Sequence, residues 1–480
     1  MNNLPNINPE RIFHYFCELS DIPRGSGDMD KISEYCINFA KSHNLNYYTD
    51  EMKNVVIFKD GSKGYENSAP VILQGHLDMV CQKTEDCNID FLKDGLSLYI
   101  DGDYVKAKGT TLGADNGIAV AMALSILESD TIAHPPIEAV FTTDEETGMY
   151  GAHALDMSIL KSKRLINLDS EEDDCITVSC AGGSDFVATI NTNNAEKSGA
   201  KVTLEIKGFK GGHSGVEINS GRLNANIVMG KVLCGIRDIC DFDIISINGG
   251  DKPNAITNLC RAELVADNAD AFIKTADEYI NNIKNEIAEI ETDFSPVITI
   301  NEYGKFSVID NQIAKTVITA LATTRNGVMK MSENIENLVE TSLNLGILKT
   351  DDDKITMHFA LRSNKQSGLM ELESDMAVFY DNLGFEIQKF GHYPPWEYKE
   401  NSELREMYKT SYKELFKKEV RIEAIHAGLE CGIFASAIEG IDCIAVGPTI
   451  NDVHTVNEKL SITSTQNFYT ILLDILAKMQ

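Results

Sequence analysis

Five times along this chain a short apolar run ends in, or stands directly beside, a histidine or a carboxylate. Residues 71–74 lead into Gly-His-Leu-Asp, 137–143 into Asp-Glu-Glu, and 165–168 into Asp-Ser-Glu-Glu. Residues 444–446 lead toward GPTINDVHTVNE, and TLGADNG precedes the apolar stretch 118–127. The short runs read as buried strands. The stretch 118–127, apolar on nearly every face, reads as a buried helix. Alternation of this kind predicts an α/β layer whose sheet is mainly parallel and flanked by helices. In such open sheets ligands bind outside the carboxyl ends of the strands, so polar clusters far apart in sequence converge on one edge.

Near residue 181 the texture changes. Val202, Leu204 and Ile206 alternate with polar residues, helical runs follow near 223–236 and 271–287, and two-faced strands appear near 298–300 and 355–361. This predicts an α+β part with a partly solvated antiparallel sheet. From about residue 401 the first texture returns. The expected organisation is therefore one α/β domain in two pieces, 1–183 and 400–480, with an α+β domain of residues 184–399 inserted. A chain of 480 residues has room for two or three domains.

Charge narrows the partners. Lys and Arg total 43 against 73 Asp and Glu, a formal charge of −30. Such a surface repels phosphate backbones and anionic lipid, which argues against nucleic-acid and membrane partners. The 11 cysteines, odd in number and without a repeated CxxC pattern, read as reduced thiols of a cytoplasmic protein. The first residues lack a basic segment followed by an apolar core, so no signal peptide is expected. The apolar stretch around 117–127 is shorter than the roughly 20 residues that cross a bilayer.

The clusters supply His76, Asp78, Asp115, Glu145, Glu146, Asp169 and His454. Two imidazoles with three or four carboxylates form a mixed nitrogen and oxygen set that suits zinc or a similar divalent ion, and two ions if one carboxylate bridges. Each residue has a plainer explanation alone. A histidine at a strand end is usually hydrogen-bonded structure, Asp115 could cap a helix, and Glu145 and Glu146 could be a solvated pair. Five such clusters at the edge where a site belongs are together poorly explained that way.

GHLDMV, GADNG, DEETG, NLDSEE and a late histidine after Gly-Pro, in that order, resemble the di-zinc metallopeptidases that include aminoacylases, glutamate carboxypeptidases and Xaa-His dipeptidases. HLDMV, GTTLGADNGIA and HAGLECG resemble the bacterial Xaa-His (aminoacyl-histidine, β-Ala-His) dipeptidase branch. The resemblance implies that Asp115 bridges two metals, that His76 and Asp169 complete one and Glu146 and His454 the other. It implies that Asp78 orients the His76 imidazole, that Glu145 is the general base, and that the Asp115–Asn116 peptide is cis. It further implies that the inserted domain is a lid and dimerisation domain. There His213 of GFKGGHSGVEI stabilises an oxyanion, Asn254 of DKPNAIT contacts substrate, and Arg362 of HFALRS grips a terminal carboxylate. Gly428 and Glu430 of HAGLECG complete the substrate candidates, Glu430 as receiver of a free amine. The implied protein is a cytoplasmic homodimeric dipeptidase with two zinc ions per chain, cobalt and manganese being the other candidate metals. An aminopeptidase or N-acyl amino acid deacylase is the alternative. A metal-free binding protein is more distant, since it needs no general base.

Overall fold

The apolar run that ends at His76 has no exposed position. Val71–His76 is buried throughout, as are Ile137–Thr142 and Asp442–Ala445. Strands covered on both faces belong at the centre of a sheet with helices above and below. The computed structural model describes Leu4 and residues 7–480, and the chain divides into two units. One contains the chain up to Ser179 with Tyr398–Ala424 and Leu429–Gln480. The other contains Cys180–Glu397 with Ile425–Gly428.

The first unit is built on an eight-stranded sheet. In chain order its strands are β1 (Asn46–Thr49), β2 (Val55–Lys59), β3 (Val71–His76), β4 (Ile137–Thr142), β5 (Arg164–Asn167), β6 (Cys175–Cys180), β7 (Arg421–Ile425) and β8 (Asp442–Ala445). Across the sheet they run β1-β2-β4-β3-β5-β8-β6-β7. The central four, β4, β3, β5 and β8, are mutually parallel, whereas β1, β2 and β6 pair antiparallel. The sheet is thus mainly parallel at its centre. Helices α1 (Glu10–Ser20), α2 (Asp30–Ser42), α3 (Ala114–Glu128), α4 (Glu403–Phe416), α5 (Glu430–Ala437) and α6 (Ile462–Lys478) surround it. Every residue of α3 from Asn116 to Leu127 is buried, which explains its lack of a polar face. This helix packs directly on β3.

The second unit holds a nine-stranded antiparallel sheet, whose path begins Val297–Ile309, Asn194–Ile206, Cys260–Ala266 and Phe242–Gly249. It continues through Val339–Thr350, Lys354–Ser363, Gly182–Asn191 and Glu386–Tyr393. Period-two alternation directs Val202, Leu204, Ile206, Leu264, Met357 and Phe359 into one core, which they share with residues of Ala225–Arg237, Asn311–Thr323 and Gln366–Asn382. The edge strand Val297–Ile309 departs from the expected two-faced pattern. It is mostly exposed, and only Val308 and Ile309 are fully buried. The return of Ile425–Gly428 to this unit has no counterpart in the sequence reading.

Candidate metal centre

The centre is assembled in the first unit, beginning at Gly75. A Cβ at that position would lie 2.4 Å from Asn116 Oδ1 and 3.0 Å from Ala119 Cβ, so β3 and α3 approach this closely only over a glycine. The contact sets Asn116 between the segments that carry His76 and Asp169. Its Oδ1 accepts from the His76 N–H at 3.2 Å and its Nδ2 donates to the Leu168 carbonyl at 3.0 Å. The Asp115–Asn116 peptide is cis.

His76, the last residue of β3, is buried. Its Nδ1 lies 3.1 Å from the Asp78 carbonyl oxygen and 3.4 Å from the Asp78 carboxylate. Two acceptors on that side place the ring proton on Nδ1 and turn the Nε2 lone pair outward. Nε2 faces Asp115 Oδ1 at 3.1 Å and Asp169 Oδ1 at 3.6 Å. The other Asp115 oxygen, Oδ2, lies 3.1 Å from His454 Nε2, which in turn is 3.0 Å from Glu146 Oε2. One carboxylate therefore faces two separate imidazole–carboxylate pairs, His76 with Asp169 and His454 with Glu146. Ligand atoms of His76, Asp115 and Glu146 all lie within 4.8 Å of one another. Side-chain exposure is 1% at His76 and 49% at His454, so the centre opens to solvent on the His454 side. His454 holds that place with φ +60°, in the left-handed region.

Asp78 serves more than the imidazole. Its Oδ1 accepts from the Glu145 N–H at 3.1 Å, and its Oδ2 accepts from the Glu146 N–H at 3.2 Å and from Ser26 Oγ at 2.8 Å. Burial opposes its ionisation, yet the His76 contact and these donors hold its pKa below the usual carboxylate range. Burial pushes Asp169 up to about 6 and Glu145 well above its ordinary value, with Asp169, Glu430 and Glu146 adding to the shift at Glu145. Hydrogen bonds to Asp115 and Glu146 push His454 up to about 11. Burial and neighbouring carboxylates raise Asp169 and Glu145, and carboxylate contacts raise His454, so this buried gathering of negative charge favours a cation. The donor set, imidazole nitrogen with carboxylate oxygen and no thiolate, fits a zinc-like divalent ion.

Glu430 departs from expectation. It is wholly buried, and its Oε2 accepts from Gln74 of β3 and from Thr142 of β4, the latter at 2.7 Å. Gln74 in turn accepts from Asn167 of β5, whose Oδ1 holds the Asp169 N–H at 3.2 Å. Inside this network the carboxylate braces β3 and β4 and presents no surface to a substrate amine. Burial pushes it up to about 7. Sequence reasoning also passed over Gln74, Asn116 and Asn167, whose neutral side chains carry no chemical signal of their own.

The second unit groups the other candidates. His213 lies on a two-stranded ribbon, Gly212–His213 paired with Ala255–Ile256, that Asn254 directly precedes, and the Ser214 N–H bonds the Asn254 carbonyl at 2.9 Å. His213 Nδ1 accepts from the N–H groups of Gly215 and Val216 at 3.2 and 3.3 Å, which puts its proton on Nε2. Burial and then the Arg362 charge lower its pKa and keep it neutral. Arg362, nearly buried, donates to the Tyr393 hydroxyl at 2.8 Å, and its Nε has no partner among the described residues. Arg362 also acts on His426, which burial pushes down to about 3, and whose ring nitrogens contact Ser342 Oγ at 2.7 Å and Asn364 Oδ1 at 3.0 Å. Gly428 closes the same short segment, which Asn364 Nδ2 holds at the Ile425 carbonyl.

The sequence profile of peptidase family M20/M25/M40 matches residues 72–478. Over 483 aligned positions the chain is 36% identical to the cytosol non-specific dipeptidase of Escherichia coli (strain K12), covering 100% of this chain and 99% of that protein. The crystal structure of aminoacylhistidine dipeptidase from Vibrio alginolyticus matches with a TM-score of 0.91 at 35% identity, covering 99% of this chain and 98% of that one. Aminopeptidase PepT of Bacillus cereus shares the fold, with a TM-score of 0.57 at 16% identity and 98% and 99% of the two chains covered.

Proposed function

The chain belongs to peptidase family M20/M25/M40, and from that premise we propose that it is a metal-dependent dipeptidase of small unblocked dipeptides, Xaa-His and β-Ala-His among them. The observation that carries this reading is Asp115, whose two oxygens each lie 3.1 Å from a different imidazole. A carboxylate shared in this way suits two divalent ions, zinc in the first instance and cobalt or manganese otherwise. His76 and Asp169 would hold one, Glu146 and His454 the other, and Asp115 both. When bound, such ions acidify water and polarise a carbonyl.

The remaining chemistry belongs to the chain. Glu145, its backbone fixed by Asp78, takes the proton of the attacking water and delivers it to the amine nitrogen as the C–N bond breaks. His213 offers its Nε2–H to the developing oxyanion. Arg362 receives the substrate carboxylate, while Asn254 and the Gly428 backbone contact the peptide. Residues 184–399 act as lid and dimerisation domain between the catalytic pieces 1–183 and 400–480. In a homodimer His213 and Asn254 serve the partner's centre. The relative's cytosolic name supports a cytoplasmic setting.

The test is hydrolysis of β-Ala-His, Gly-His, Leu-Gly and N-acetyl amino acids alongside metal analysis. Dipeptides should be cleaved, N-acetyl amino acids spared, and activity lost on chelation and regained with zinc. Preferential cleavage of the N-acetyl compounds would identify a deacylase instead.

A further inference from the structure

We infer that Glu458 and Arg24, two buried charges that are neither ligand nor base, form a clamp that positions Asp115 between its two imidazoles. The inference rests on the metal-centre reading above.

Four successive N–H groups lead into α3, those of Leu112, Gly113, Ala114 and Asp115. At a helix start such groups have no partner within the helix. Here all four go to one carboxylate. Glu458 Oε2 accepts from Leu112 at 2.8 Å and Gly113 at 3.0 Å, and Oε1 accepts from Ala114 at 2.8 Å and Asp115 at 3.3 Å. Glu458 is 3% exposed. With two N–H groups on each oxygen, its carboxylate is committed to this turn and is not a ligand.

The carbonyl side of the same turn meets a cation. Arg24, 2% exposed, donates through one terminal nitrogen to the carbonyls of Leu77 at 3.0 Å and Asp78 at 3.3 Å, and through the other to the Gly113 carbonyl. The peptide dipoles of the turn thus lie between a negative charge on their N–H side and a positive charge on their carbonyl side. Gly113 has φ +64°, and a Cβ there would lie 2.5 Å from the Arg24 guanidinium and 2.7 Å from Met79 Sδ. A side chain at this position would strain the backbone and crowd Arg24 and Met79.

The clamp joins segments that each carry part of the centre. Glu458 follows His454 by four residues and holds the turn of Asp115. Arg24 ties that turn to the segment after His76. The loop that supplies Arg24 also supplies Ser26 Oγ to Asp78 and the Gly27 N–H to Asp144 at 2.6 Å, and it lies outside the matched span 72–478. A bridging carboxylate must satisfy two sides at once, so it tolerates angular error less than a terminal ligand. A turn held by charge on both sides limits that error. Glu458 and Arg24 touch no reacting atom and are positioning residues.

The test uses the full chain, stripped of metal by chelation and then titrated with Zn²⁺ against a chromophoric competitor, with the melting temperature of the stripped protein in parallel. Glu458→Gln keeps the shape but presents an amide NH2 group to N–H donors. It should weaken zinc binding at one site or both by about 10–100-fold, the range typical of groups that orient ligands. Glu458→Asp, which keeps the charge, should recover part of that loss. In the zinc-saturated enzyme Glu458→Gln should lower kcat more than it raises KM. Should Glu458→Gln not fold, Arg24→Lys decides: it retains the charge but loses the fork that reaches two segments, and should weaken zinc similarly. A folded variant whose stripped protein melts lower yet binds zinc as tightly as the parent would overturn the inference and leave a purely structural role. A parent chain that binds no zinc would instead overturn the metal-centre reading beneath it.

Discussion

Replacing Glu145 by Gln separates proton transfer from metal binding at a single atom. The Asp78 carboxylate holds the N–H groups of Glu145 and Glu146 at 3.1 and 3.2 Å, so the two backbones are fixed together while their side chains serve different ends. Glu146 reaches His454 at 3.0 Å and belongs to the group that could hold a metal ion, whereas Glu145 does not. Glutamine preserves the volume of Glu145 and removes only its capacity to take a proton. Loss of a positioned general base costs about 10²–10⁴ in rate, or roughly 3–5 kcal/mol in the barrier. The assay is steady-state hydrolysis of a dipeptide found to be cleaved, with elemental analysis of the same preparations. Glu145→Gln should lower kcat by that factor with KM and metal content unchanged. Glu146→Gln should lose metal, because the His454 side of the centre then lacks its carboxylate. Equal metal loss in the two variants would show that base and ligand have been assigned the wrong way round. A Glu145→Gln enzyme within tenfold of the parent would remove Glu145 from the chemistry.

Three further outcomes follow from the geometry. His426 takes a proton near 6.5 in the unfolded chain but only near 3 when folded, so its contribution to stability is complete above about pH 6.5. Below that it declines by up to about 1.4 kcal/mol per pH unit as pH falls toward 3; urea melts at pH 7 and 4.5 should therefore show a smaller acid loss in His426→Gln than in the parent. Gly75→Ala forces a Cβ to within 2.4 Å of Asn116 Oδ1 and should cost about 1–3 kcal/mol, read by denaturant unfolding, together with weakened zinc binding; parental values for both would mean that α3 moves aside freely. Mixing Glu145→Ala chains with His213→Ala chains should restore activity, since the heterodimer then has one centre with both residues intact; no recovery after confirmed subunit exchange would rule out action in trans.

The sequence made the centre legible where chemistry sits at the end of an apolar run. His76 ends a strand that burial dictates, Glu146 and Asp169 follow two others, and the parallel order of β4, β3 and β5 brings those ends to one edge. Less legible was whatever depends on pairing across the chain. Glu458 binds N–H groups more than 340 residues away, and nothing in a lone Glu after Thr-Val-Asn announces it. Glu430 shows the same difficulty from the other direction: residue type alone does not tell a carboxylate that faces a substrate from one enclosed by Gln74 and Thr142. The excursion of Ile425–Gly428 into the second unit was hidden because four residues are too few to carry a hydrophobic period.

A common rule governs how Glu146, Asp115 and Asp169, the acidic residues proposed as ligands, are held. Glu146 is fixed through its backbone N–H by Asp78, Asp115 through its backbone N–H by Glu458, and Asp169 through its backbone N–H by Asn167. In each case the support grips the main chain, and the carboxylate oxygens of Asp115 and Glu146 stay turned toward the imidazoles of His76 and His454. The alternative, backbone donors bonded to these carboxylates, would weaken the field that draws a cation and would compete with it for lone pairs. Anchoring through the main chain instead lets three mutually repelling carboxylates stand close together without being quenched. The hydrogen bonds to the main chain hold position against that repulsion, while Asp78 and Glu458, carboxylates themselves, add to the negative charge that a bound cation offsets. Charged supports are also the ones whose neutral replacements should be felt first in metal affinity, before the fold itself gives way.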